Sequence, residues 1–223
     1  MSITPESLLS NLSDKWKSLL DIKSFDWKSI TNALNKSKFY PKIDQIFNAI
    51  NNIELSKLKA VIIGQDPYHN GSAHGYSFSV LPSRQIPASL QNIFKELKTE
   101  YNISTLPSSG CLLPWTDEGV LLLNTILTVE PSKPKSHANI GWQDFTNAII
   151  QYIDNNYKVV FLAWGNDAQK TCNIVHNNPV IKSGHPSPLN TSKPFVGCNC
   201  FKECNNELIK MGILPIRWNV LWI

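Results

Sequence analysis

No apolar run in this chain approaches the roughly 20 residues that cross a bilayer, which argues against a membrane-spanning protein and against a membrane partner. From Met1 to Lys17 the chain carries acid and lacks an apolar h-region, so neither a secretory nor a transit peptide is read there. No linker, internal repeat or low-complexity stretch divides the 223 residues, which are expected to form one domain, 1–223. At that length one core buries enough apolar surface to need no disulfides. Charge is also scarce. Charged residues make up 17% of the chain against 42% hydrophobic, and Asn, Ser and Thr carry much of the polarity. A net charge of +4 and a pI near 8.7 permit a nucleic-acid partner without requiring one.

Familiar chemical signatures are missing too. No Gly-x-x-x-x-Gly-Lys or Gly-x-Gly-x-x-Gly follows a strand, which removes the main support for nucleoside-triphosphate and dinucleotide binding. No Gly-x-Ser-x-Gly elbow appears, which weakens a serine hydrolase. The five cysteines are odd in number and lack the spacing of a secreted disulfide scaffold, so reduced thiols in a cytoplasmic protein are expected, or a nuclear one in a eukaryotic host. Cys198, Cys200 and Cys204 are close in sequence, but a metal or iron–sulfur site ordinarily takes four thiolates at wider spacing. Packing at a helix start is the favoured reading of that cluster.

What is present is a set of apolar runs that each end in a polar cluster. Leu58 to Ile63 runs into Gly64-Gln65-Asp66-Pro67-Tyr68-His69, a buried strand opening into a tight loop. Gly119 to Thr125 stays apolar until Asn124, Lys158 to Gly165 leads into Asn166, and Pro179 to Gly184 leads into His185-Pro186-Ser187-Pro188-Leu189. Helical spacing separates them: Leu90, Ile93, Phe94, Leu97 and Tyr101, then Trp142, Phe145, Ile149 and Ile153, then a last helix from about Asn199 to Met211. Ahead of the first strand, Thr4-Pro5 starts a helix with a stripe from Leu8 to Leu20, and further helices carry Trp27, Ile30 and Leu34, then Ile43, Ile46, Phe47 and Ile50. The predicted fold is α/β: a central four-stranded parallel sheet with right-handed crossovers and helices on both faces. Its four polar strand endings would then share one edge, where open α/β sheets bind ligands.

Two chemistries suit that edge. Asp66, His69, His74, His137 and His185 all fall in loops and are possible metal ligands by type, although no pair has the short helical spacing of a zinc motif. Alternatively an amide, a histidine and an aromatic ring read a planar heterocycle while Asp66 faces positive charge developing on the group cleaved from it. N-glycosidic hydrolysis has those needs: an anion near an oxocarbenium-like sugar and hydrogen bonds to the departing base.

Gly64 to His69 together with His185 to Leu189 resembles the family 1 uracil-DNA glycosylases, and further similarity follows in the family's order at Gly75–Val80, Pro87–Leu97, Gly119–Leu127, Ser136–Phe145, Leu162–Lys170 and His185–Cys198. The resemblance implies a monofunctional enzyme that flips deoxyuridine out of DNA, releases uracil and leaves an abasic site, with no metal or organic cofactor. It implies that Asp66 positions water and stabilises the sugar cation, and that His185 hydrogen-bonds uracil O2. Asn124 would pair with the O4 and N3 edge, Phe78 would stack on the base, Tyr68 would exclude the thymine methyl, and Gln65 would lend backbone to the pocket. Pro87, Ser89, Gly165, Asn166 and Ser187 would grip phosphates, and Leu189 would fill the vacated stack. Uracil-containing single- and double-stranded DNA and a protein inhibitor are the implied partners, and a monomer the implied state. The sequence departs from the family in the shortened Asn70–His74 loop and at Ala88, Asn166, Asn190 and Val196, all in DNA-gripping loops. A DNA-binding accessory protein on the same fold is the alternative from another class.

Overall fold

The computed structural model describes residues 2–190 and 194–222. Residues 191–193, inside the stretch of resemblance from His185 to Cys198, lie outside the described residues. Four five- or four-residue strands form the sheet: β1 Ala60–Gly64, β2 Val120–Asn124, β3 Val160–Trp164 and β4 Val180–Ser183. All pair in parallel, in the order β2-β1-β3-β4. Every residue of β1, β2 and β3 is buried, as strands covered on both faces must be, and this explains their unbroken apolar runs. At the edge, β4 exposes Lys182 between buried Ile181 and Ser183.

Register decides where the polar endings fall. Gly64 is paired with Asn124, and Trp164 with Ser183, so all four strands stop at one level. From β1 the chain passes to β2 on one side, and from β3 it passes to β4 on the other. The crevice between the ends of β1 and β3 is therefore the switch point of the sheet.

Helices cover the sheet. The major ones are α5 Ala88–Tyr101, α7 Trp142–Asn156 and α9 Cys200–Lys210, and the shorter α1 Pro5–Leu9, α2 Asp14–Leu19, α3 Trp27–Leu34, α4 Asn48–Asn52, α6 Leu113–Asp117 and α8 Asn166–Thr171 complete the layers. Trp115, Trp164, Phe201 and Trp218 form a buried aromatic cluster with ring centroids 4.9–5.8 Å apart, which docks the C-terminal tail on the sheet. Cys200 and Cys204 lie on the inner side of α9, where burial pushes both thiols up and keeps them protonated.

Two segments depart from the periodicity of the sequence. The expected single helix over Leu8 to Leu20 is broken into α1 and α2, because the Asn51 side chain accepts the Ser13 N–H (2.9 Å) and donates to the Asn11 carbonyl (2.7 Å). That tertiary partner satisfies the backbone at the break and lets Trp16 donate to the Ile50 carbonyl at 2.7 Å. Likewise Ile43–Ile50 is a 3₁₀ turn at Ile43–Gln45 followed by α4, and α6, announced only by Pro114 in its first turn, was not expected.

The start of α9 has no side-chain cap of its own: Asn199 stands there in the left-handed region. Two buried acids one turn apart on α5 replace it. Glu96 accepts the Gly197 and Asn199 N–H groups, the latter at 2.7 Å, and Glu100 accepts those of Phe201 (3.2 Å) and Lys202 (2.6 Å). Two N–H groups in the first turn of α9 and two just ahead of it are thus satisfied by the neighbouring helix, with carboxyl groups at the positive end of the dipole. Burial raises Glu100 from 4.5 to about 7 despite those N–H groups, and Glu96 beside it adds to the rise. A carboxyl with a raised folded-state pKa holds a proton that the unfolded chain has already lost. This part of the stability is fully present below pH 4.5 and is lost as pH climbs through about 7. Urea unfolding at intervals from pH 4.5 to 7.5 is expected to show a decline in stability with rising pH that Glu100→Gln flattens; parallel curves would disprove the linkage.

Candidate active site

At the end of β1 the backbone comes so close to β2 that no side chain fits. A Cβ on Gly64 would lie 2.2 Å from Asn124 Oδ1 and 2.6 Å from Ser77 Cβ. The glycine therefore lets the Asn124 amide lie across the strand end, only 8% exposed. That amide makes no hydrogen bond to another described residue, so its oxygen and its NH₂ are both left to the recess in front of it. Gln65 follows, its carbonyl accepting the Ile126 N–H (2.9 Å) and the Thr125 hydroxyl (3.1 Å) and its side chain donating to Asp167.

Asp66 comes next. Its Oδ2 accepts the backbone N–H of Lys135 at 2.7 Å. Burial raises its pKa, while that N–H and the positive charge of Lys135 favour the carboxylate. Tyr68 is half-buried and donates to the Phe78 carbonyl at 3.1 Å, and burial pushes its phenol up, so it stays a neutral donor. Phe78 is held at φ 61°, the left-handed region that a bulky residue rarely adopts, with its ring 5.4 Å from that of Trp164. Strain of this kind persists only where the surroundings impose it, and here it turns an aromatic face toward the site.

His185 completes the group from β4. Its Nδ1 accepts the Ser187 backbone N–H at 3.0 Å, and since an amide can only donate, the neutral ring must carry its proton on Nε2. Burial lowers its pKa, with Asp167 and Asp66 pulling upward and Lys135 downward. Gly165 makes room for it: at φ 87° that residue is in glycine's territory, and a Cβ there would sit 2.8 Å from His185 Cβ. Asn92 on α5 holds the same loop by donating to the Pro186 carbonyl at 2.8 Å.

These side chains enclose a recess of about 140 Å³ lined by Asp66, Tyr68, Phe78, Ser89, Asn124 and His185. A larger cavity of about 520 Å³ continues from it past Gln65, Phe78 and His185 to Gly165, Asn166, Ser187 and Leu189. Of the residues singled out from sequence, Asp66, His185, Gln65, Tyr68, Phe78 and Asn124 converge on the smaller space. Ser89 joins them, and the remaining loop residues line the larger one. Pro87 stands just before α5 and lines neither. Leu189 is 90% exposed. Sequence reasoning missed Lys135, Asp167 and Asn92. Lys135 and Asp167 carry opposite charges, one in the loop after β2 and the other in the first turn of α8 after β3, but nothing in their spacing announces that they meet.

The five histidines do not gather. His74 is buried with Nε2 2.9 Å from the Ser79 hydroxyl, and burial pushes it down to about 4. His137 is likewise buried, its Nδ1 2.8 Å from the Thr128 hydroxyl. Among the described residues no group of three or more His, Cys, Asp or Glu side chains is placed to hold a metal ion.

A family model described as the uracil DNA glycosylase superfamily matches residues 51–209, which contain every residue of both cavities named above. The chain belongs to that superfamily. It is 48% identical over 183 residues to the uracil-DNA glycosylase of Serratia proteamaculans, covering 80% of this chain and 81% of that one. The Francisella tularensis subsp. novicida enzyme is 45% identical over 193 residues, covering 85% and 88%. The crystal structure of mimivirus uracil-DNA glycosylase superposes with a TM-score of 0.88 at 28% identity, over 97% of this chain and 90% of that one. A mimivirus UNG variant solved in complex with UGI superposes at 0.87, over 97% and 91%.

Within this superfamily member the close approach at Gly64 has a direct consequence. Gly64→Ala must displace the Asn124 amide by more than an ångström, and is expected to lower single-turnover uracil release by about 100-fold. Circular dichroism would monitor folding alongside, and release at the wild-type rate by folded protein would show that the amide need not lie where Gly64 admits it.

Proposed function

We propose that the chain hydrolyses the N-glycosidic bond of deoxyuridine in DNA, releasing uracil and leaving an abasic site. The observation that carries this reading is the convergence of Asp66, Tyr68, Phe78, Asn124 and His185 on one small recess at the sheet's switch point. A base in a duplex cannot reach such a recess, so the nucleotide is extruded, at a cost of a few kcal/mol in stacking and pairing. The exposed Leu189, between Pro188 and Asn190, suits the side chain that occupies the vacated stack.

Inside, Phe78 stacks on the base and Tyr68 closes the space a thymine methyl needs. The Asn124 amide offers an acceptor and a donor side by side, matching uracil N3–H and O4; cytosine reverses that pattern and leaves both groups unpaired. As the bond breaks, negative charge grows on O2, and His185 meets it with Nε2–H. The Ser187 N–H on Nδ1 supports this role, because it commits the neutral ring to being a donor on the opposite side. Asp66 stands on the sugar side, stabilising the cation and orienting water, and the Lys135 N–H on Oδ2 leaves Oδ1 for that task. Phosphates are gripped by the backbone amides and hydroxyls of the Ser89, Gly165, Asn166 and Ser187 loops, with Pro87 setting the start of α5. Single- and double-stranded DNA are both substrates in this reading, and the UGI complex of the mimivirus neighbour supports a protein inhibitor as a further partner.

Single-turnover reactions on uracil-, thymine- and cytosine-containing oligonucleotides in excess EDTA test the assignment. Uracil alone is expected to be released, and Asp66→Asn and His185→Leu are expected to slow release by about 100-fold or more while uracil-DNA still binds. Wild-type protein that binds DNA and releases nothing would leave the accessory-protein reading. The pH dependence follows from the same groups. Asp66 must be ionised and His185 neutral, and around His185 the carboxylates of Asp66 and Asp167 favour its protonation while Lys135 opposes it. With His185 lowered from 6.5, release should be level above about pH 7 and fall on the acid side only. An alkaline decline with a midpoint near the histidine range would mean that the imidazolium is the active form.

A further inference from the structure

Asp167 is hard to reconcile with a surface that grips a polyanion. It lies in the cavity through which DNA would pass, beside Gly165 and Asn166, and a carboxylate there repels every phosphate nearby. Its hydrogen bonds suggest why it is there. One carboxylate oxygen, Oδ2, accepts both from the Gln65 amide and from Lys135 Nζ, the latter at 2.9 Å. Gln65 and Lys135 come from the loops after β1 and β2 and Asp167 from the first turn of α8 after β3, and together they form the wall between the 520 Å³ cavity and an adjoining recess of about 340 Å³.

Lys135 is reached from both ends. Its loop is anchored at Ser132, whose N–H donates to the His69 carbonyl (3.0 Å), and at Ser136, whose hydroxyl accepts the Glu130 N–H (2.8 Å). Between these anchors Lys135 stands at φ 61°, and that conformation aims its N–H at Asp66. Asp167 takes the other end of the same residue. Both bridge side chains are more than half exposed, so as a contribution to stability the pair is worth little. Its effect is on where Lys135 points.

We propose that Asp167 is a positioning residue for base excision: by holding Lys135 Nζ it fixes the backbone N–H that orients Asp66, and it keeps the Lys135 charge from pairing with DNA phosphate. The inference rests on the glycosylase reading of the site. It assigns an acid to a phosphate-binding surface for the sake of rate, at the expense of affinity.

Such a role separates chemistry from binding. Asp167→Asn removes the repulsion and frees Lys135, so uracil-containing single strands should bind more tightly, with a log–log salt slope steeper by about 0.7, the increment of one added phosphate contact. Single-turnover release by the same variant should slow by about three- to tenfold, the scale of one exposed, charge-assisted contact. Asp167→Glu should recover part of the rate. Lys135→Met should slow release similarly without tightening binding, and Asp167→Asn combined with Lys135→Met should be no slower than Lys135→Met alone, because the two act as one unit. Uracil release by the wild type at a rate that Asp167→Asn matches overturns the positioning role while leaving the glycosylase intact. Additive losses in the double variant overturn it as well. Failure of the wild type to release uracil removes the functional reading on which it stands.

Discussion

The register of the parallel sheet is the constraint on which the rest depends. Because Gly64 is level with Asn124 and Trp164 with Ser183, the residues that follow each strand emerge at one height and face one another. A one-residue slip would turn the outgoing groups of a strand to the opposite face and separate the amide from the carboxylate and the imidazole. The apolar runs that look like mere core are what prevent this. Each central strand is buried throughout, so the sheet is locked by packing on both faces before any polar group is placed. The two glycines at the edge then set spacing that register alone does not: Gly64 brings β1 against the Asn124 amide, and Gly165 brings the end of β3 against His185.

The electrostatics match a chain that carries only +4. A protein that binds DNA by charge density alone would spread lysines over the contact face. In the proposed reading this one would use loop amides, hydroxyls and the start of a fourteen-residue helix, α5, whose first turn has no side-chain cap. Neutral donors of this kind bind phosphate with less dependence on salt than lysines do. They would also tolerate the two carboxylates, Asp66, proposed to face the sugar, and Asp167, neutralised locally by Lys135. Burial works in the same direction at His185, favouring the uncharged ring where Asp167 and Asp66 would otherwise favour a cation.

Much of this was legible in the sequence. Four apolar runs of strand length, each ending in polar residues, fix the sheet and its functional edge, and the residues flanking Asp66 and His185 are distinctive enough to indicate the family. What escaped depended on contacts distant in sequence. The break at Ser10–Ser13 follows from Asn51, whose side chain replaces the helical hydrogen bonds that the stripe from Leu8 to Leu20 would otherwise make. The cap of α9 comes from Glu96 and Glu100, about a hundred residues away, so a local search for a capping residue finds only Asn199. Lys135 reaches Asp66 through its backbone N–H and an unusual φ, neither of which is a property of lysine. Phe78 could be read as a stacking ring, but not as one held in the left-handed region.

The two sides of the recess are held by bonds of different character, and this bears on how the site tolerates change. In the proposed reading base recognition rests on packed contacts: Asn124 lies buried against Gly64, Phe78 packs against Trp164, and the His185 loop is tied by Asn92 and by Gly165. The sugar side, in the same reading, rests on Asp66, which accepts a loop amide from Lys135, a residue whose side chain is in a solvent-exposed bridge to Asp167. Buried contacts of the first kind change little with ionic strength, whereas an exposed ion pair is screened within about 10 Å at 0.1 M salt. On that reading selectivity for the base is the property this architecture makes robust. The rate of bond cleavage would then be the property that salt and surface substitutions tune.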